Sequence, residues 1–100
     1  MRWQMEEQYM RLLTTLAVVY NQAGEFKHSA ELSQRILDVD ELNEAAWYRL
    51  MSNYIQSGHL EAAKYSYNRY AQIVSDNLGG EALPDFDEIQ REISRGAASV

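Results

Sequence analysis

Apolar residues recur along the chain at intervals of three and four, and the arrangement comes twice. Leu13, Leu16 and Tyr20 form one such set, and Trp47, Leu50 and Tyr54 form the same set 34 residues later. That spacing puts each set on one side of a helix, a side that has to be buried. The same offset superposes Gln22 on Gln56, Gly24 on Gly58 and Arg35 on Arg69, and pairs Ala17 with Met51, Phe26 with Leu60 and Ser29 with Ala63. A period of this length marks a repeated helical hairpin.

Each unit reads as a helix, a glycine stop and a second helix. Gly24 and Gly58 follow the first helices, where positive φ closes the last turn at least steric cost. The second helices carry Phe26, Ala30, Ser33 and Leu37 in one unit, and Leu60, Ala63, Tyr67, Tyr70, Val74 and Leu78 in the other. Between the units, Asp40 is predicted to be the N-cap of the third helix, with Glu41 and Glu44 at its positive end. A third copy would place Pro84 where Leu16 and Leu50 stand, so the repeat stops at two. Leu78 to Pro84 reads as a loop, after which Pro84 opens a short helix with Phe86, Ile89 and Ile93 on one face, ended by Gly96.

The predicted fold class is therefore all-α: a tetratricopeptide-like right-handed stack of two helical hairpins plus a short C-terminal capping helix. The expected organisation is one domain over residues 1–95, with repeat units about 9–42 and 43–76, a capping helix about 84–95 and a frayed tail at 96–100. Two repeats offer little surface for a stable stack. A long first helix reaching back to Trp3 and the capping helix complete it.

Composition narrows the function more than the fold. The chain has 100 residues, 46% hydrophobic and 24% charged, with one proline and no cysteine, which leaves no disulfide framework and no thiolate metal site. Its longest apolar stretch, Leu16 to Tyr20, is far short of the roughly 20 residues of a membrane span, and its first residues lack a signal peptide's apolar region. A cytoplasmic location with no membrane contact is the expectation. The net charge is −6, and the nine basic residues are scattered from Arg2 to Arg95, so this segment lacks the clustered basic face of a nucleic-acid binder.

The order of residues is also specific. Leu12-Leu13 to Tyr20 with Gly24, Ile36-Leu37 through Asp40 to Glu44, Leu50-Met51, Gly58, Ala63, Tyr67, and Leu78-Gly79 followed by Pro84 together resemble the bacterial transcriptional activator domain. This is the tetratricopeptide-like module that follows a winged-helix DNA-binding domain in antibiotic-regulatory-type activators, and the resemblance covers almost the whole chain. The chain departs from the family where Asp-Pro is usual, at Asp40-Glu41, and has Glu81-Ala82 and Leu83-Pro84 near its end. The resemblance implies a regulatory domain for self-association or contact with another regulatory or transcription protein. It implies DNA contact only through a winged helix that this segment lacks. A tetratricopeptide-type scaffold unconnected with transcription is the alternative reading.

Candidate chemistry changes little. Tyr20, Trp47, Tyr54, Tyr67 and Tyr70 fall on the predicted buried faces and read as core rather than as a base-stacking platform. His28 and His59 lack the i+4 partner of a helical metal pair, and the acidic groups around Asp38 and Asp85 lack a calcium loop. No phosphate loop or nucleophile elbow is present. The reading is of a non-enzyme, with no catalytic residue, no cofactor and no metal. In tetratricopeptide-like stacks the first helices line the concave side, which directs Thr14, Val18, Gln22, Tyr48, Arg49, Ser52 and Gln56 into a shared partner groove. Related co-chaperone repeats hold acidic peptide tails there with lysines and asparagines. These positions do not carry that clamp, although Arg49 can meet one acidic group.

Overall fold

The three-and-four alternation resolves into four helices: α1 (Arg2–Gln22), α2 (Phe26–Val39), α3 (Glu44–Gln56) and α4 (Leu60–Leu78). The computed structural model describes residues 2–78, 89 and 91–95, and Ile89 and 91–95 are helical as well. Each helix packs on the next in chain order, so α1 and α2 form one hairpin and α3 and α4 the other, in a tetratricopeptide-like helical stack.

Both hairpins turn in the same way. Gly24 and Gly58 have φ of +79° and +81°. The Gly24 N–H reaches the Asn21 carbonyl and the Glu25 N–H the Tyr20 carbonyl, and Gly58 and His59 repeat this on Ile55 and Tyr54. These paired bonds satisfy the last carbonyls of α1 and α3. A Cβ at either glycine would meet nothing within 4 Å, so the need for glycine comes from the backbone conformation and not from crowding.

The start of α3 differs from the sequence-based expectation. Its N-cap is Asn43, not Asp40: the Asn43 Oδ1 accepts from the Ala46 N–H at 3.0 Å. Asp40 ends the previous helix, its N–H bonded to the Ile36 carbonyl at 2.8 Å. A residue whose N–H still belongs to α2 cannot begin α3, and residues 40–42 are needed for the reversal. The Trp47 indole N–H donates to the Glu41 carbonyl at 2.7 Å and holds that turn. Asn43→Ala is expected to cost about 1 kcal/mol, the usual worth of such a cap, while Asp40→Ala leaves the denaturation midpoint where it is. A urea titration of both variants checks this.

The core runs through both hairpins. Leu13 of α1, Ala30, Ile36 and Leu37 of α2, Ala46, Trp47, Leu50 and Met51 of α3, and Ala63, Tyr70 and Val74 of α4 are buried together. Trp47 packs tilted against Tyr70, ring centroids 6.1 Å apart, which ties α3 to α4. Ile89 and Ile93 join the same core, so the C-terminal helical segment packs where the sequence put it. Phe86, Pro84, the Leu78–Pro84 loop beyond Leu78 and the tail 96–100 lie outside the described residues.

Leu16 corrects the predicted buried face of α1. It is 36% exposed, whereas its repeat partner Leu50 is 1% exposed. In α1 the interior side carries Leu13 and Ala17 instead, with Met10 packed at its edge. The reason is positional. The face bearing Leu16 has no preceding helix against it among the described residues.

Candidate functional site

A buried polar chain sets how the first helices sit. The Asn21 side-chain amide of α1 donates to the Asn53 Oδ1 of α3 at 2.6 Å, Asn53 Nδ2 donates to the Ser29 Oγ of α2 at 2.8 Å, and Ser29 donates to the Ala17 carbonyl at 2.7 Å. Asn53 and Ser29 are completely buried, so the Asn53–Ser29 and Ser29–Ala17 bonds are made away from water, where an unmade one is costly, and the Asn21–Asn53 bond is partly buried. The chain joins three helices and brings the C-terminal ends of α1 and α3 together. The offset of 34 residues pairs Asn53 with Val19, so no sequence identity flagged it.

The residues expected to form the partner groove lie on the same two helices, α1 and α3. Thr14, Val18, Arg49 and Ser52 are half-buried, while Gln22, Tyr48 and Gln56 are exposed. Gln56 donates to the Ser52 hydroxyl at 3.0 Å. Arg49 is the unusual member. Its Nη1 is enclosed without a hydrogen-bond partner among the described residues, and burial lowers the guanidinium's pKa from the ordinary arginine value. Arginine nevertheless stays charged at neutral pH, so an enclosed and unpaired N–H is a standing cost.

Two concavities among the described residues are lined by none of these seven. Both lie on the side of the second helices. The larger, about 620 Å³, has a floor of Phe26, Ala30 and Tyr54, with Lys27, Arg35 and His59 around it. The smaller, about 310 Å³, is lined by Leu37, Trp47, Tyr65 and Arg69 among others, and it shares Gln34 and Tyr54 with the first. The two form one trough along α2, flanked by the end of α3 at the larger hollow and by α3 and α4 at the smaller. Lys27 and Arg35 have no ion-pair partner among the described residues, and Glu31 is the one carboxylate among the described residues lining the larger hollow. The sequence signal for the trough was the identity of Arg35 with Arg69, which falls at equivalent places on the two second helices and has no core role.

The family comparison matches the bacterial transcriptional activator domain over residues 1–94. The chain belongs to that family. No curated protein and no solved structure matched the chain. Membership in a bacterial transcriptional activator domain makes this a transcriptional-activator-associated domain, and the family is regulatory, not enzymatic.

The remaining sequence candidates take structural positions in this activator domain. His28 and His59 are both exposed: His28 lies 3.4 Å from Glu25 and stacks on Tyr20, and His59 Nδ1 sits 2.9 Å from the Ser57 hydroxyl. Trp47 and Tyr70 are buried, and Tyr20, Tyr54 and Tyr67 are half-buried at the edges of the core. Among the described residues, no helix is long and apolar enough to cross a membrane, and no three His, Asp or Glu side chains gather as a metal site.

Proposed function

We propose that this activator domain is the protein-contact module of a bacterial transcription regulator, which docks an apolar segment flanked by acidic residues into the trough along α2. The observation that carries this is the larger hollow, with its apolar floor and its two unpaired cations on a chain of net charge −6. An apolar side chain can sit on Phe26, Ala30 and Tyr54 while a carboxylate meets Lys27 or Arg35. A second contact, on the first-helix face of Thr14, Val18, Gln22, Tyr48, Arg49, Ser52 and Gln56, is favoured by Arg49, half-buried and without an ion-pair partner among the described residues. DNA is reached through a DNA-binding part elsewhere in the regulator and not through this domain.

The test is promoter activation by the regulator that carries the domain, measured beside its affinity for DNA and the melting of the domain. Lys27→Glu with Arg35→Glu is expected to lower activation at least about fivefold, a loss of roughly 1 kcal/mol in contact energy, with DNA affinity and melting unchanged. Arg49→Ala separates the two faces, since it lowers activation only if the first-helix contact is used. Unchanged activation in both variants, or a parallel loss of DNA affinity, would sink the reading.

A further inference from the structure

α1 has a second apolar side that nothing among the described residues covers. Met5, Tyr9, Leu12, Leu16 and Val19 are all exposed, from 36% for Leu16 to 70% for Met5. Their spacing alternates four and three, so they form one straight strip along α1, about 21 Å long at the rise of an α-helix. The interior side of the same helix is already supplied by Leu13 and Ala17. The strip is therefore additional apolar surface and not a misplaced core.

The repeat shows what such a face is for. The positions equivalent to Leu12, Leu16 and Val19 are Ala46, Leu50 and Asn53, and all three are buried, Asn53 on Ser29 of α2. In α3 this is a helix-packing face, and α1 presents the same face open. Ile89 and Ile93, further along the chain, are buried in one core with Tyr70 and Val74 of α4. Among the described residues no other helix has more than one large exposed apolar side chain, so no complementary apolar face is offered for head-to-tail stacking. The pairing left is like face on like face, about a two-fold axis.

The strip suits that symmetry. It is nearly symmetric about Leu12: in an antiparallel pair Leu12 meets Leu12, Met5 lies opposite Val19, and Tyr9 lies opposite Leu16. Residues 12–23 carry no charge, and the charged Glu7 and Arg11 pair with each other along the helix at 3.5 Å. A parallel pair would set Glu6 against Glu6, whereas the antiparallel pair levels Glu6 with Val18. The strip amounts to roughly 500 Å² per copy, near the upper end for the largest apolar patch of a monomer. Two copies would bury on the order of 1,000 Å², at the lower edge of specific interfaces.

We infer that the outer face of α1 is a homodimerisation surface, in which a second copy packs antiparallel on Met5, Tyr9, Leu12, Leu16 and Val19. The dimer is weak and concentration-dependent. It rests on the interaction reading above but uses a different surface. Because the strip holds no ion pairs between copies and each copy carries −6, salt screens repulsion and removes no attraction, so dimerisation strengthens as ionic strength rises.

Sedimentation velocity on the 100-residue chain over a micromolar concentration series, at low and high salt, tests this. The expected result is a monomer–dimer equilibrium with a dissociation constant on the order of 10 µM, tighter in high salt. Leu12→Glu, which sets two carboxylates together on the axis, is expected to weaken pairing at least tenfold with unchanged melting. Val39→Glu, a control at an exposed apolar residue of α2, leaves it intact. A monomer at every concentration, a dimer indifferent to Leu12→Glu, or one loosened by salt overturns the inference. So does a loss of melting temperature in Leu12→Glu within a longer, monomeric regulator, which would mean that another helix of that protein covers the strip. A monomer in which Lys27→Glu with Arg35→Glu still abolishes activation overturns self-pairing alone and leaves the interaction reading standing.

Discussion

Leu50→Ala is expected to lower the unfolding free energy by about 2–5 kcal/mol, the range for a fully buried leucine whose removal leaves a cavity. Leu50 is 1% exposed, and Trp47 and Met51 of the same helix are buried in one core with it. For a domain of this length that loss lowers the melting temperature by roughly 4–8 °C per kcal/mol. The informative control is Leu16→Ala, the same side chain at the same place in the repeat but half exposed, which should cost about 1 kcal/mol or less. Equal losses at the two positions, measured by urea denaturation, would mean that α1 is covered on both sides in the isolated chain, and that result would be read together with its state of association.

The second large effect is expected at Asn53. Asn53→Ala removes the acceptor of Asn21 and the donor to Ser29, and it opens a small cavity in a fully buried site, for a loss of about 2–4 kcal/mol. Ser29 keeps its bond to the Ala17 carbonyl, so the damage falls on the joins of α3 to α1 and to α2. Asn21→Ala should therefore cost much less once Asn53 is gone, with a coupling of roughly 0.5–3 kcal/mol in a double-mutant cycle. Strictly additive losses would show that the two amides do not act as one chain.

Much of the fold was legible because it is written locally. The partner face of α2 was visible in Ala30, Ser33 and Leu37, all of which are buried. Asn43 was missed because Asp40 and Asn43 are equally good caps by type, and the choice between them depends on Trp47 holding the turn at Glu41. The trough was missed because its floor is assembled from α2 and the end of α3, and only Arg35 and Arg69 hinted at it.

The sequence by itself determined that this chain forms helical hairpins, where they reverse and how often they repeat. Those properties follow from backbone conformation and from spacing within one helix, as the two glycines at φ of +79° and +81° illustrate. Only the tertiary structure decided which sides of those helices are covered. Leu16 and Leu50 occupy one position in the repeat, yet one is at the surface and the other in the core, because burial depends on the helix that lies across from a residue and not on the residue's own place in the pattern.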